Sequence, residues 1–300
     1  MPDDNANYRK GLLLTAFGGF VLTFDIPLIL LADGEAWSIL LIRTGTTFIA
    51  GLVIWAAWRL FGKNAPALIP GWPGFWVTIL YGIGSITFVT AVYNTSTANL
   101  VFIVALVTMF AALLSWIFLG ERPKTPTLVA MAVMIFGVVI IVSDSIGRGN
   151  LLGDALALCS ALSIAGAITI SRASGRDMGF TALVGVVFPF LIAATVVGTS
   201  GFSVAAPGWI ILNGAVVIPI AFFCLANGPK YISAPEVAMF YLLETVLAPI
   251  WVWMIFADAP SRNSLIGGSI LVTALLAHSL WQFSQSRRRR LETFVPQHPS

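Results

Sequence analysis

The stretch FLGERPKTPTLV at residues 118–129 has a later counterpart, IFADAPSRNSLI at 255–266. Gly-Glu-x-Pro becomes Ala-Asp-x-Pro, and Glu121 and Asp258 stand 137 positions apart. The same offset lays Thr127 on Ser264 and Leu128 on Leu265. Each copy follows a long apolar run and precedes another. One turn is written twice, so the fold depends on how many apolar runs surround it and which way each copy faces.

The solvent comes first. The chain has 300 residues, 58% hydrophobic and only 10% charged, against roughly 25% charged in water-soluble domains. So much apolar surface cannot be hidden in one soluble core, so lipid is the solvent for most of the chain. The opening MPDDNANYRKGLLLTAF places basic residues before an apolar run, as a secretory signal does. The run continues to Leu31 with no small-residue cleavage site, so it reads as a retained first span.

About 20 apolar residues cross the hydrocarbon as a helix. Cutting the chain at Pro, Gly and charge clusters gives ten such runs: 11–31, 37–58, 72–91, 98–119, 126–143, 151–171, 179–199, 208–226, 234–256 and 263–283. Basic residues orient them. One side collects Arg9, Lys10, Arg59, Lys63, Arg122, Lys124, Arg172, Arg176, Lys230 and the four arginines at 287–290. The other holds Arg148 and Arg262, while Arg43 lies inside a span. This asymmetry makes the first side, with both termini, the cytoplasmic one, and a bacterial inner membrane the expected location. All ten Trp lie within about six residues of a predicted span end, about 9 Å along a helix, as an interfacial aromatic belt requires. Aromatic lining at the midplane must therefore come from Phe and Tyr.

Five spans precede the second half, and five is odd. The second half enters from the opposite face, so Glu121 and Asp258 are expected in different aqueous compartments. The expected architecture is an all-α membrane protein of ten transmembrane helices in two inverted-topology five-helix repeats. Residues 1–147 form the first, 148–286 the second, and 287–300 a basic cytoplasmic tail. Inverted repeats of this kind mark secondary transporters, with the solute near the midplane between the halves.

The segments LGERPKTPTLVAMAVMIFGVVIIV (119–142), LLIRTGTTFIAGLVI (40–54) and ANGPKYISAPEVAMFYLLETVLAP (226–249) carry a resemblance. The chain resembles the drug/metabolite transporter superfamily, in its EamA-type ten-helix branch, over nearly its whole length. The second turn departs from the pattern, lacking Gly and bearing Asp258 for Glu. The resemblance implies an exporter of small organic metabolites, amino acids including aromatic ones first among them. It works by alternating access and has no cofactor. Bulkier lipophilic or cationic compounds are the alternative cargo.

Charged groups inside a membrane are functional candidates by default. Glu244 stands about ten residues into its span. It reads as a proton acceptor or an anchor for a substrate ammonium, with a neutral structural hydrogen bond as the alternative. Asp25 and Arg43 each lie six residues from the outer ends of adjacent antiparallel spans. Equal depth predicts a buried ion pair, structural in role. Phe17, Tyr81, Ser85, Thr108, Ser163, Asn213, Phe222 and Tyr241 are the other midplane candidates, a mixture of aromatic faces and hydroxyls suited to a small amphipathic solute. Pro27, Pro189, Pro219, Pro235 and Pro249 are candidate bends. Gly18, Gly19, Gly82 and Gly84 are candidate close contacts.

The remaining features read plainly. Cys159 and Cys224 are too few for a disulfide framework and lack a metal-binding neighbour, so both are expected as small core residues. His278 reads as a polar residue at a span end, and the arginines at 287–290 as an anchor on anionic lipid rather than on nucleic acid. No G-x-x-x-x-G-K-[ST], H-E-x-x-H or G-x-S-x-G occurs. An intramembrane enzyme would need a base or metal set beside Glu244 at its depth, and no midplane His exists. The expected partners are a small solute, membrane lipid and, as a candidate coupling ion, the proton.

Overall fold

A computed structural model describes residues 2–61, 67–176, 178, 180–227, 231–232 and 234–293. Lys63, Lys230 and the tail from 294 lie outside the described residues, as do the side chains of 287–290. The described residues form fourteen α-helices and one π-turn. They are α1 (Pro2–Leu22), α2 (Asp25–Leu31), α3 (Ala36–Phe61), α4 (Gly71–Val92), α5 (Thr97–Val104), α6 (Val107–Leu119) and α7 (Thr125–Arg148). There follow α8 (Leu151–Ser174), α9 (Thr181–Gly185), α10 (Val187–Ser200), α11 (Pro207–Leu212), the π-turn Asn213–Val217, α12 (Ile218–Asn227), α13 (Ala234–Phe256) and α14 (Arg262–Thr293). These make ten segments long and apolar enough to cross a membrane, from Tyr8–Leu31 to Arg262–Gln285. Each coincides with one of the ten runs read from the sequence, with ends shifted by only a few residues. The side from which the first span enters is called near, the other far.

Four spans are interrupted, and proline explains three of them. Proline cannot donate to the carbonyl four residues back. Pro27 thus leaves the Thr23 carbonyl without its helical partner, and the helix breaks at Thr23–Phe24. Pro189 stands three residues after the break at Val186. Pro219 denies its N–H to Ala215, and the chain widens there into the π-turn. Pro249 behaves otherwise: α13 runs through it without a break. The fourth interruption, at Ala105–Leu106 between α5 and α6, has no proline near it.

Most buried apolar residues gather in two clusters among the described residues, with others such as Val77, Leu183 and Val184 buried outside both. The larger fills the far half, with Ile26, Ile29, Ile39, Val89, Leu100, Ile103 and Val252 at its centre. The smaller one joins α1, α12, α13 and the connection before α13, through Leu22, Ile218, Ala221, Leu225, Ile232 and Val237. Close helix contacts fix these packings. A Cβ on Gly18 would overlap Cys224, one on Gly19 the Phe240 carbonyl, and one on Gly82 the Phe188 ring. Gly137 and Gly267 meet where α7 crosses α14.

On the far side the two halves of the chain are clasped by backbone. Ala205 and Ala206 N–H donate to the carbonyls of Asp33 (2.8 Å) and Ala32 (3.0 Å), and Glu35 N–H donates to the Ser203 carbonyl at 3.0 Å. Gly34 and Val204 form an antiparallel bridge at the centre of this clasp. On the near side, Glu121 pairs with Arg172 at 2.8 Å, and Arg176 donates to the Pro70 carbonyl at 2.8 Å.

One expectation needs correction: Cys159 is exposed on α8, and only Cys224 is buried. The helix α14 continues through the arginines at 287–290 to Thr293. Trp251 does more than mark an interface: its indole N–H donates to Thr23 Oγ1 at 3.0 Å, and its ring stacks on Phe24 at 5.5 Å. It fills the break between α1 and α2.

Candidate functional site

The interruption in the first span sets up the site. With α1 ended at Leu22, Asp25 becomes the first residue of α2 and turns into the protein, where it is 3% exposed. Arg43 reaches it from α3. Its Nη2 donates to both Asp25 oxygens, at 3.2 and 2.9 Å. Asn213, the first residue of the π-turn, completes a ring: its Nδ2 donates to Asp25 Oδ1 at 2.7 Å and to the Asp25 carbonyl at 3.1 Å, and its Oδ1 accepts from Arg43 Nε at 3.2 Å. Arg43 Nη1 makes a long contact to Ser85 Oγ at 3.5 Å, and the guanidinium lies 5.9 Å from the Phe88 ring centre. Beneath the ring, Thr47 donates to the Gly214 carbonyl at 3.0 Å, and Gly214 leaves no room for a Cβ against Thr46 and the Arg43 carbonyl.

The ring is balanced. One carboxylate faces one guanidinium, and an amide takes up the Nε–H and a further Asp25 lone pair, leaving Nη1 with the long Ser85 contact. A buried ion pair is tolerable in lipid only when its remaining groups are satisfied in this way. The sequence suggested Asn213 as a group lining a solute cavity. In the structure it is fully buried and every strong hydrogen-bonding atom it has is used, so it serves the ion pair instead.

Glu244 is the contrast. It projects from α13 and is only half-buried, and its carboxylate makes no hydrogen bond or ion pair among the described residues. Asp25 and Arg43 lie within electrostatic reach of it on one side and Tyr241 on the other. Tyr241 precedes it by one helical turn and in turn interacts with Tyr81 of α4. A polar strip therefore runs Tyr81, Tyr241, Glu244, then the Asp25–Arg43–Asn213 ring and Ser85, drawing on both halves of the chain.

Four expected residues lie apart from the strip. Phe222 packs into the small near-side cluster. Thr108 is exposed, and its hydroxyl folds back onto the Ala105 carbonyl at 3.3 Å. Ser163 is buried on α8 with no hydrogen bond to another described residue. Phe17 is exposed on the face of α1 that also carries Leu13 and Phe20. His278 bonds Thr127 Oγ1 at 3.0 Å near the near-side end of α14, far along the chain from this site. No grouping of three metal-ligating side chains occurs among the described residues.

Residues 9–143 match the model of the EamA-like transporter family. The first half is EamA-like. That match covers the near-side turn carrying Glu121 and the helices bearing Asp25, Arg43, Tyr81 and Ser85, and it bears out the resemblance read from the sequence. The pseudopaline exporter CntI of Pseudomonas aeruginosa (strain UCBPP-PA14) is 25% identical over 285 residues, covering 90% of this chain and 96% of its own length. A solved crystal structure superposes with a TM-score of 0.63 at 20% identity, over 91% of this chain and 98% of that one, which shows a shared fold.

Proposed function

We propose that this protein is a secondary exporter of small zwitterionic metabolites of the amino-acid type, working by alternating access. The observation that carries this reading is Glu244: a carboxyl with no hydrogen-bond or ion-pair partner among the described residues, beside a charge-balanced ring and one helical turn from Tyr241. An ammonium group supplies the missing counter-charge at Glu244. The weakly used Nη1 of Arg43, bonded only at 3.5 Å to Ser85, offers a donor for a carboxylate. Tyr81 and Tyr241 offer flat apolar faces with a polar tip, the usual furniture of a small-molecule site.

The larger buried apolar cluster lies mostly in the far half, whereas the near half is packed by the small cluster and by separate buried residues such as Val77, Leu183 and Val184. We place the solute path to Glu244 on the near side. The basic bias of the near-side connections makes that side cytoplasmic, in a bacterial inner membrane, and makes the direction export. The two five-helix repeats, 1–147 and 148–286, are proposed to rock about the region of the ring. The EamA-like first half and the exporter relative both favour a transporter over an intramembrane enzyme or a channel.

The test is counterflow in proteoliposomes with a labelled panel of neutral, aromatic and charged amino acids and of lipophilic cations. Exchange of amino acids, abolished by Glu244→Gln, is the expected result. Exchange of lipophilic cations alone moves the protein to the second reading, cation export, which the partnerless carboxyl of Glu244 favours. Flux with no counterflow removes the alternating-access mechanism.

A further inference from the structure

We propose that the groove between α7 and α14 binds one anionic phospholipid of the near leaflet, its acyl chain in the groove and its phosphate at Lys124. The groove has a volume of about 720 Å³ and lies on the outer face of the helix pair, apart from the Glu244 site. Its walls are the apolar Val129, Ala130, Val133, Ile270, Ala274 and Ala277. Small residues on both helices hollow it out, while the crossing at Gly137 and Gly267 closes it below.

Its length fits one leaflet. On α7 it runs from Thr125 to Val133, about 12 Å, and on α14 from Ser269 to Trp281, about 18 Å, at 1.5 Å per residue. Half of the hydrocarbon core is about 15 Å. The groove therefore begins near the midplane and ends at the near-side interface, which is the path of a single acyl chain.

The polar end has the chemistry of a headgroup site. Lys124 Nζ lies 5.7 Å from the centre of the Trp281 ring, which holds the cation over the groove mouth. His278 stacks on the same ring at 5.9 Å and bonds Thr127, so the indole is held by both side chains. Arg122 stands two residues before Lys124, and α14 continues into the four arginines at 287–290. No acidic side chain lines the groove. A second copy of the chain fits less well: an isologous pairing through this groove sets the Arg122 and Lys124 of one copy against those of the other across the axis. Anionic lipid is attracted where that pairing is repelled.

The experiment is native mass spectrometry of the purified full chain titrated with phosphatidylglycerol or phosphatidylcholine of the same acyl length. Quenching of Trp281 by the brominated forms of each lipid is read as the difference from Trp281→Phe. The wild type is expected to retain one phosphatidylglycerol about fivefold more tightly than phosphatidylcholine, the worth of one interfacial cation. Lys124→Gln, an exposed position on a turn, removes that preference, and Ala277→Phe weakens retention of both lipids by filling the groove. Free inorganic phosphate leaves the lipid in place. Equal retention of the two lipids by the wild type overturns the proposal, as does an undiminished preference in Lys124→Gln. A dimer whose dissociation exposes Trp281 to quencher assigns the groove to a second copy instead.

Discussion

At the scale of single residues, the molecule separates two kinds of buried charge. Asp25 and Arg43 neutralise each other and are held by Asn213, so they contribute shape more than chemistry. Removing one partner leaves an uncompensated charge: Asp25→Ala is expected to cost about 3–5 kcal/mol, read as a lowered thermal midpoint in detergent. Asn213→Ala strips hydrogen bonds from both ions and is expected to cost about 1–3 kcal/mol. A midpoint unchanged in both variants would remove the ring from any account of stability. Glu244 is the opposite case. Because its carboxylate holds no protein partner, Glu244→Gln is expected to leave the midpoint unchanged while lowering exchange of ammonium-bearing solutes by about tenfold or more, the worth of a hydrogen bond to a charged group. Depth along the spans was legible in the sequence for all three charged residues. What was not legible is the third member: nothing in NGAVV announces that Asn213 belongs with Asp25, because the connection spans 188 positions and depends on a widened turn.

At the scale of elements, prolines mark most of the interruptions and their effect follows from one missing N–H. Pro27 places Asp25 at the start of a new helix, where its side chain can turn inward. Pro27→Ala is expected to let α1 run into α2, keeping or raising the thermal midpoint while slowing transport. Equal transport rates would show that the break is incidental. Gly214→Ala acts by contact: its Cβ would collide with Thr46 and the Arg43 carbonyl, forcing α3 away from the π-turn at a cost of about 1–3 kcal/mol. Circular dichroism melting checks this. Ten apolar runs sufficed to find ten spans, since length and hydropathy act locally. The break at Ala105–Leu106 was invisible for the same reason: no residue there forbids a helix, so its cause lies in packing against α8, α13 and α14, which no local pattern encodes. Pro249 teaches the converse, that a missing N–H permits a bend without compelling a break.

At the scale of the whole molecule, the parity of the spans is the strongest commitment. Glu121 follows four spans and Asp258 follows nine, so cysteines placed at the two positions are expected to label from opposite sides of right-side-out vesicles with a membrane-impermeant maleimide. Labelling from one side would dismantle the topology and the two-repeat proposal together. The native Cys159, exposed toward lipid on α8, and the buried Cys224 serve as internal controls.

The backbone clasp between residues 32–35 and 203–206 has a consequence for how such a machine opens. Peptide groups paired across two loops let go together or stay shut, unlike side chains that slide past one another. The helix ends they bind, α2 and α3 from one half and α10 and α11 from the other, form a hoop that must travel as one piece. A doorway on that side would therefore part along the opposite seam, where α5 leans on α13.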